Sequence, residues 1–390
     1  MNILFVCHRL PYPPTRGGKI RPFHMIKHLN VSHAVTVVSL AESAKELDEG
    51  SGLKAHCTNL IAEVLSPQVR WFQAYVALLN GKPSSVAYFR SSKLMSRVKD
   101  VLSKERFDLV FVHCAFVAQY VLGIQCPIRI LDFGDLDSEK WLEYSLRKPF
   151  PFSLGFKIEA QKLRNYEKMI ANQFTHCAVT TGGELDSYEK MNVPIPCTVI
   201  SNGVDLNYFH NESKPTQISN NIVFVGRMDY YPNIDGVEYF VDDIFPIIRQ
   251  QFPKVAFQIV GSNPGRRVRR LASIPGVTVT GHVPDVRPYL CNAGVAVAPL
   301  RIARGVQNKI LEALAMNIPS VTTPQVARGV EGIDGEHLLV GEGPEMFAKQ
   351  VVRLFEDHAL RGRIVKAGRQ MLEDTYTWSH SMKILDKLIV

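Results

Sequence analysis

The chain has 390 residues, 46% of them hydrophobic and 21% charged, which excludes an intrinsically disordered protein and provides for about two or three domains. Its 45 Lys and Arg residues exceed its 37 Asp and Glu residues by 8, and residues 1–200 carry most of the excess (24 − 18 = +6). A basic half-molecule fits nucleic acid, an anionic membrane surface or a phosphorylated substrate. No run of 18 apolar residues predicts a membrane-spanning helix, and the first residues lack the features of a signal peptide, so we expect a cytoplasmic protein.

Short apolar runs alternate with helical patterns along the chain, which predicts parallel sheets built from βαβ units. The strands predicted in the first half are residues 3–7, 34–40, 109–113, 128–133, 174–179 and 198–201. Those predicted in the second half are residues 222–226, 256–261, 277–281, 293–298, 319–323 and 337–340.

A polar stretch interrupts this series and divides the chain. We therefore predict an α/β protein with two doubly wound, Rossmann-like domains, residues 1–205 and 221–375, joined by a linker at 206–220. Residues 376–390 have the pattern of one more amphipathic helix. In such sheets ligands bind at the carboxyl ends of the strands, so we expect the site there.

The seven cysteines are scattered and form no C-x-x-C pair, so we expect buried thiols and neither a disulfide framework nor a zinc site. The sequence also lacks G-x-x-x-x-G-K-[ST], G-x-S-x-G and H-E-x-x-H motifs, and an intact G-x-G-x-x-G after the first predicted strand. These absences weaken the kinase, esterase, zinc protease and simple dehydrogenase interpretations.

A glycine pair follows the first predicted strand. The loop contains Arg16, Gly17 and Gly18, and a helix is predicted from about residue 20. Paired glycines before a helix allow backbone N–H groups to approach a phosphate, and Arg21 adds positive charge. The alternative is an ordinary glycine turn.

Gly226 and Arg227 stand where the first strand of the second domain is predicted to end. Gly226 permits a close approach of the backbone, and a guanidinium at this place is suited to bind a diphosphate through two hydrogen bonds. The alternative is a surface arginine at a strand end.

The most informative local pattern is RGVQNKILEALA at residues 304–315. A helix is predicted from about Gln307, and its N-terminus suits an anionic ligand. Lys309 in the first turn opposes the helix dipole and is better explained by a phosphate partner. Glu312 shares its face, and a carboxylate there can accept hydrogen bonds from ribose hydroxyls. The alternative is a solvated Lys–Glu pair.

Several short motifs occur together along nearly the whole chain. They are the glycine pair with Arg21, and residues 132–141 (DFGDLDSEKW), 202–205 (NGVD), 226–233, 260–264, 281–285 and 308–313. In this order and spacing the chain resembles retaining glycosyltransferases of the GT-B fold, family 4 (glycosyl transferases group 1). It is most similar to the branch associated with exopolysaccharide and PEP-CTERM/exosortase gene clusters. The resemblance implies two domains that face each other across a cleft, with helix 376–390 crossing back to the first domain.

The resemblance also implies a nucleotide-diphosphate sugar bound to the second domain. Arg227 and Lys309 would contact the diphosphate and Glu312 the ribose. The base would lie near His282 and Val283. The other implied donor contacts are Gly17, Gly18, Gly226, Gly261, Val306, Gln307 and Asn308. His113 would lie by the transferred sugar and complete a catalytic set with Arg227 and Lys309, or it is a capped residue at a strand end. Arg16, Arg21 and Asp135 would belong to the acceptor side.

Two positions depart from the family pattern. Arg304 stands where the first glutamate of Glu-x7-Glu is usual, and Pro232 stands where a lysine often follows Val-Gly-Arg. Lys309 is a candidate to replace that lysine's charge. The departures leave the diphosphate role in place and leave the contacts to the sugar open.

Two charged clusters in the sequence indicate neither a metal site nor a nucleic-acid site. Asp135 and Asp137 form a D-x-D pattern, which binds a metal ion in GT-A enzymes, but GT-B enzymes usually neutralise the diphosphate with Arg, Lys and helix dipoles. We expect no metal; Asp135 would lie on the acceptor side or cap the following helix. The run at 266–270 (RRVRR) lacks interleaved aromatic residues, so we expect a solvated helix face and no nucleic acid.

We therefore expect a retaining, metal-independent glycosyltransferase without a cofactor. It would move a sugar from a nucleotide-diphosphate donor, such as a UDP-sugar, to a glycan or lipid-linked acceptor. The basic N-terminal half and a lipid-linked acceptor both favour peripheral contact with the anionic inner face of the cytoplasmic membrane. The alternatives are a sugar-nucleotide epimerase of the same fold and a degenerate, non-catalytic nucleotide-sugar binder.

Overall fold

The computed structural model describes residues 1–15, 17–210 and 219–389. Arg16 and residues 211–218 of the predicted linker lie outside the described residues. The chain divides into two compact units. Unit 1 comprises Met1–Ile200 and Met382–Val390, and unit 2 comprises Ser201–Ser381. The division thus falls five residues before the predicted domain boundary, and the last nine residues pack with unit 1.

Unit 1 contains a seven-stranded parallel sheet in the order β3-β2-β1-β4-β5-β6-β7. Its strands are β1 Asn2–Cys7, β2 Ala34–Ala41, β3 Asn59–Val64, β4 Leu109–His113, β5 Ile128–Gly134, β6 His176–Val179 and β7 Cys197–Val199. Its helices are α1 Gly17–Leu29, α2 Ala44–Glu49, α3 Pro67–Leu79, α4 Ser84–Tyr88, α5 Ser92–Lys104, α6 Asp137–Arg147, α7 Phe152–Ala171 and α8 Gly182–Glu189. The glycine pair therefore opens α1 itself and does not precede it as a separate loop.

The central strands of unit 1 are apolar along their whole length because helices cover both faces of the sheet. All five residues of β4 are buried, and so are five of the six residues of β1. Phe5 of β1 and Phe111 of β4 stack with their ring centres 4.8 Å apart. The strand order reverses between these two neighbours, so their carboxyl ends mark the place where a doubly wound sheet forms a crevice.

Unit 2 contains a six-stranded parallel sheet in the order β10-β9-β8-β11-β12-β13. Its strands are β8 Asn221–Val225, β9 Ala256–Val260, β10 Val277–Gly281, β11 Val295–Ala298, β12 Ser320–Thr322 and β13 Leu339–Val340. The order reverses between β8 and β11, which places the corresponding crevice at the carboxyl ends of those strands.

The helices that follow are α9 Tyr231–Tyr239, α10 Phe245–Gln251, α11 Arg266–Arg270, α12 Arg287–Cys291, α13 Asn308–Ala315, α14 Pro324–Gly329, α15 Gly343–Glu356, α16 His358–Thr375 and α17 Trp378–Leu388. Apolar side chains from α9, α10, α13, α15 and α16 cover the sheet of unit 2 and form its main core. Within the described ranges, no helix combines the length and the apolar character that crossing a bilayer requires.

The expected α/β architecture with two parallel sheets is confirmed, and each of the twelve predicted strands is present within a few residues. β3 is the strand that the sequence did not predict. It lies at the edge of its sheet, where only Ile61 and Glu63 are buried, so its sequence (NLIAEV) lacks a continuous apolar run. The cysteines are free thiols, and five of the seven are buried.

Gly226 and Gly261 bring the ends of β8 and β9 together. A side chain at Gly261 would place its Cβ 1.7 Å from the carbonyl oxygen of Gly226. The Gly226 N–H donates to the Val260 carbonyl at 3.0 Å, and the Met228 N–H donates to the Ser262 carbonyl at 2.8 Å. Glycine at 261 is therefore required for the two strand ends to run this closely.

We expect Gly261→Ala to destabilise unit 2 by about 1–3 kcal/mol, because the added methyl group must displace backbone. Gly362→Ala is the matched control, since that glycine lies in α16 with open space around it. It should be neutral or stabilising by up to about 1 kcal/mol. Urea unfolding monitored by circular dichroism measures both. Equal midpoints for the two variants would contradict the packing role of Gly261.

Candidate functional site

Arg227 leaves the carboxyl end of β8 and is paired with a nearby carboxylate. Its Nε donates to Asp229 Oδ1 at 3.0 Å, and its Nη2 pairs with Asp229 Oδ2. Asn263, which follows β9, also donates to Asp229, at 3.2 Å. Burial tends to raise the pKa of Asp229, but the hydrogen bonds from Arg227 and Asn263 lower it below its ordinary value. A phosphate that binds the Arg227 guanidinium must therefore share it with Asp229 or replace that carboxylate.

Helix α13 begins at the position predicted from sequence. Gln307 is its N-cap and makes no side-chain capping hydrogen bond. In the first turn, Lys309 Nζ donates to Asn233 Oδ1 at 2.7 Å and lies 4.6 Å from the centre of the Phe224 ring. Asn233 in turn donates from Nδ2 to the Arg227 carbonyl at 2.8 Å. One buried amide thus connects the first turn of α13 to the end of β8.

Lys309 and Glu312 are both held in surroundings that disfavour their charged forms. Burial lowers the pKa of the Lys309 ammonium to about 7, against a partial opposing effect of Glu312. Burial raises the pKa of the Glu312 carboxyl to about 7, against the opposing effect of Lys309. An anion placed beside Lys309 would favour the protonated ammonium, because it supplies the missing opposite charge.

The other predicted residues of unit 2 lie on the loops around this crevice. An open pocket of about 490 Å³ adjoins the ends of β9 and β10 and is lined by Asn263, Pro264, Arg269, Ala272, Val279, Thr280, Gly281 and His282. Val283 packs partly buried behind it. Val306 packs against the main core, Gln307 donates to the Arg304 carbonyl at 3.0 Å, and Asn308 accepts from Asn202 at 3.2 Å.

In unit 1, His113 ends β4 and is oriented by a buried carboxylate. Its Nδ1 lies 2.7 Å from Asp132 Oδ2. The backbone fixes this pair, because the Cys114 N–H donates to the Asp132 carbonyl at 2.8 Å, and Cys114 adopts a φ of 82°. An ionised carboxylate can only accept, so Nδ1 carries the proton and Nε2 is the acceptor nitrogen of the neutral ring.

Arg21, which the resemblance assigns to the acceptor side, forms a buried ion pair. It is buried, its Nε and Nη2 donate to the two carboxylate oxygens of Asp132 at 2.8 Å each, and its Nη1 donates to the Ile200 carbonyl at 2.6 Å. Burial alone would raise the pKa of Asp132, but Arg21 and His113 hold it well below its ordinary range. The Arg21 guanidinium therefore keeps ionised the carboxylate that orients His113.

Gly17 and Gly18 lie beside the end of β1. A Cβ at Gly18 would lie 3.7 Å from the Arg9 side chain and 3.8 Å from His8 Nε2. The ring centres of His8 and His113 are 5.7 Å apart. The first turn of α1, the residues after β1 and the end of β4 therefore meet at the reversal point of the sheet of unit 1.

Asp135 does not cap the helix that follows it. The N-cap of α6 is Leu136, whose side chain makes no capping hydrogen bond, whereas Asp135 accepts from the Thr180 hydroxyl at 2.6 Å. Burial raises the pKa of Asp135 above its ordinary value. The capping alternative for Asp135 is thus wrong. Within the part of the chain that the structure describes, no group of three or more His, Cys, Asp or Glu residues is arranged to hold a metal ion.

Residues 219–357 match the family model described as "Glycosyl transferases group 1". This segment includes β8 to β13 and α13, and so every element of the unit 2 crevice described above. No curated protein sequence matches the chain.

Solved structures with the same architecture match the whole chain. Sucrose-phosphate synthase from Thermosynechococcus elongatus superimposes with a TM-score of 0.73 and 17% identity over 100% of this chain and 98% of that one. Anabaena Alr3699/HepE in complex with UDP-glucose gives 0.70 and 14% over 100% and 99%. A TarM mutant from S. aureus, in complex with Fondaparinux, alpha-GlcNAc-glycerol and UDP, gives 0.69 and 12% over 100% and 99%. The chain therefore has the GT-B fold, and the match to the group 1 glycosyl transferases lies in its second unit.

Sequence reasoning missed three polar residues that organise the two crevices of this protein. Asn233 connects Lys309 to the end of β8, Asp229 pairs with Arg227, and Asp132 orients His113. Asp132 and Asp229 each lie just beyond or within the end of a strand, at the edge where functional side chains gather in parallel sheets. That position was the available signal for them. Asn233 gives no comparable signal, because it lies inside the pattern of α9.

We expect Asp132→Asn to destabilise unit 1 by about 3–5 kcal/mol, because it leaves the Arg21 guanidinium buried without its opposite charge. The pKa of Asp132 is depressed, so its contribution is complete above the unfolded carboxyl pKa of about 4 and falls only in stronger acid. The loss should therefore be the same at pH 6 and pH 8. The exposed Asp186→Asn is the control, with an effect within about 0.5 kcal/mol. Equal thermal stability of both variants would refute the role of the ion pair.

Proposed function

We propose that the glycosyltransferase transfers a sugar from a UDP-sugar to a glycan or lipid-linked acceptor, with retention of anomeric configuration and without a metal ion, in bacterial exopolysaccharide biosynthesis. The observation that carries this proposal is Lys309. A partly buried ammonium, in the first turn of a helix and hydrogen-bonded to a neutral amide, has the properties of a cation kept for an anionic ligand.

The diphosphate of the donor would lie between α13 and the end of β8. Lys309, the N-terminal N–H groups of α13 and Arg227 would together neutralise its charge and stabilise the departing nucleoside diphosphate. UDP is the favoured nucleotide because the HepE structures hold UDP or UDP-glucose and the TarM complex holds UDP. Glu312 would accept hydrogen bonds from the ribose hydroxyls, and the base would enter the pocket beside His282.

The two departures from the family pattern are consistent with this assignment. Pro232, at the position where a lysine is frequent, is buried in the first turn of α9, next to Asn233. Lys309 Nζ donates to Asn233, so the ammonium of Lys309 lies beside the residue that follows Pro232. It thus supplies a positive charge close to the position where the family often has a lysine. Arg304, in place of the first glutamate, is partly buried and its carbonyl accepts from Gln307.

His113 would contact the transferred sugar through Nε2, because its Nδ1–H is donated to Asp132. Gly17 and Gly18 would let the backbone of α1 approach the donor, and Asp135 would lie toward the acceptor. The carboxylates of Asp132 and Asp229 are each engaged by an arginine, so we propose departure and attack on the same face of the sugar without a carboxylate nucleophile.

The assay that tests the reaction class follows radiolabelled UDP-glucose with and without a panel of glycan and lipid-linked acceptors. Acceptor-dependent transfer of the label with release of UDP supports the proposal. An acceptor-independent change of the nucleotide sugar would identify an epimerase instead. Binding of UDP without turnover on any acceptor or donor would favour a degenerate binder, for which Arg304 is the residue to revert to Glu.

We expect Lys309→Ala to weaken UDP binding about 10- to 150-fold, the effect of losing one hydrogen bond between charged groups. Isothermal titration calorimetry in the presence of EDTA gives the dissociation constant and tests metal independence together. Lys349→Ala, which removes an exposed lysine of the same unit, should leave binding unchanged. Wild-type affinity in Lys309→Ala would remove the central contact of the proposal.

The affinity for UDP-glucose should fall about tenfold between pH 6 and pH 8.5. Lys309 loses its proton and Glu312 its own as the pH passes 7, so the local charge changes from +1 to −1 while the donor diphosphate stays ionised. Lys309→Arg keeps a fixed positive charge and should flatten this profile. Titrations at four pH values test it. The same slope in both proteins would show that Lys309 does not control binding.

A further inference from the structure

Helix α3 of unit 1 has an apolar face on the outside. Trp71, Phe72 and Leu79 are 67%, 69% and 72% exposed, and Tyr75 and Leu78 are more than half exposed. A helix on the surface of a soluble protein normally turns its polar side to water and its apolar side to the core. We call these five residues the α3 face.

The side of α3 that faces the protein holds its only charged residue. Arg70 is fully buried, donates from Nε to the Leu65 carbonyl at 2.8 Å, and lies 5.5 Å and 5.4 Å from the ring centres of Tyr88 and Phe89. Trp71 also contacts the Tyr88 ring edge-to-face, with ring centres 5.3 Å apart. These contacts fix the orientation of α3, so the outward apolar face is built into the fold.

A second exposed apolar segment is joined to the same part of unit 1. Phe150, Phe152 and Leu154, at the start of α7, are 79%, 66% and 51% exposed. Glu159 of α7 accepts hydrogen bonds from the Ser84 and Ser85 N–H groups of α4, the short helix that follows α3. Unit 1 thus exposes apolar side chains on a second helix, α7, which contacts α4.

The chain segment that contains the α3 face is rich in basic residues. Residues 67–104 contain seven Lys or Arg residues and one acidic residue, Asp100. Of the seven, Arg70 is buried, Lys93 and Arg97 pair with Glu63, and Lys104 pairs with Asp100. Lys82 and Arg90 are exposed and closely follow α3 and α4 in the chain. Apolar and aromatic side chains beside Lys and Arg residues are the combination that binds the interface of an anionic bilayer.

We propose that the α3 face docks unit 1 onto the interface of an anionic lipid bilayer, with Trp71 and Phe72 inserted among the lipid head groups. This inference rests on the proposed transfer to a lipid-linked acceptor and on the peripheral membrane contact expected from the sequence, and it identifies the surface responsible. The aromatic and aliphatic side chains enter the apolar boundary, and Lys82 and Arg90 meet the head-group phosphates. A lipid-linked acceptor would thereby be reached from the membrane surface.

The test uses co-sedimentation with vesicles of phosphatidylglycerol and phosphatidylcholine at low salt. We expect Trp71→Gln/Phe72→Gln to lower vesicle binding at least about tenfold, because two large apolar side chains are lost from the interface. Val31→Gln is the matched control, since Val31 is 81% exposed in another part of unit 1. Wild-type tryptophan fluorescence should shift to the blue on binding, and Trp71→Phe should bind but lack this shift.

UDP calorimetry on the same variants separates the two proposals, and wild-type UDP affinity in the double variant shows an intact donor site. No binding of wild-type protein to anionic vesicles overturns both the peripheral location and the α3 face. Vesicle binding by the double variant equal to that of wild type overturns the α3 face alone. A wild-type dimer that the double variant converts to monomer, with vesicle binding retained, also overturns it and identifies the face as an interface between two copies.

Discussion

The proposed donor site depends on the cost of burying the Lys309 ammonium. The side chain lies over the Phe224 ring and is held by Asn233, a neutral acceptor that cannot balance its charge. Glu312 balances it only in part, because its own carboxyl is buried. The site is consequently electrostatically incomplete without an anion, and a diphosphate bound there would complete it. Binding energy and charge stabilisation of the leaving group then come from the same contact.

The two units carry different polar networks at the corresponding place in their sheets. In each, the candidate functional side chains lie where the strand order reverses, at the ends of β1 and β4 in unit 1 and of β8 and β11 in unit 2. Unit 1 fills this place with a closed ion-pair network in which Arg21 holds Asp132 and Asp132 orients His113. Unit 2 instead holds the Lys309 ammonium, whose charge Glu312 balances only in part. The ion pairs of unit 1 fix the orientation of the His113 ring, whereas the Lys309 ammonium of unit 2 is suited to an anion.

Much of this architecture could be predicted from sequence because it depends on local pattern. The buried strands are continuous apolar runs, and the start of α13 follows from the RGVQNK segment. What could not be predicted are pairings over long chain distances. Arg21 and Asp132 are 111 residues apart, and Asn233 and Lys309 are 76 residues apart. The sequence placed Arg21 on the acceptor side, and nothing local to it reveals the carboxylate with which it is buried.

The most direct test of the central claim is the pKa of Lys309 itself, measured by NMR on protein with ¹³C-labelled lysine and assigned with Lys309→Arg. We predict a pKa of about 7 without ligand, because burial disfavours the ammonium. Saturation with UDP-glucose should raise it above about 8.5, since the diphosphate supplies the opposite charge. A pKa near the ordinary 10.5 without ligand, or a pKa that UDP-glucose leaves unchanged, would contradict the account.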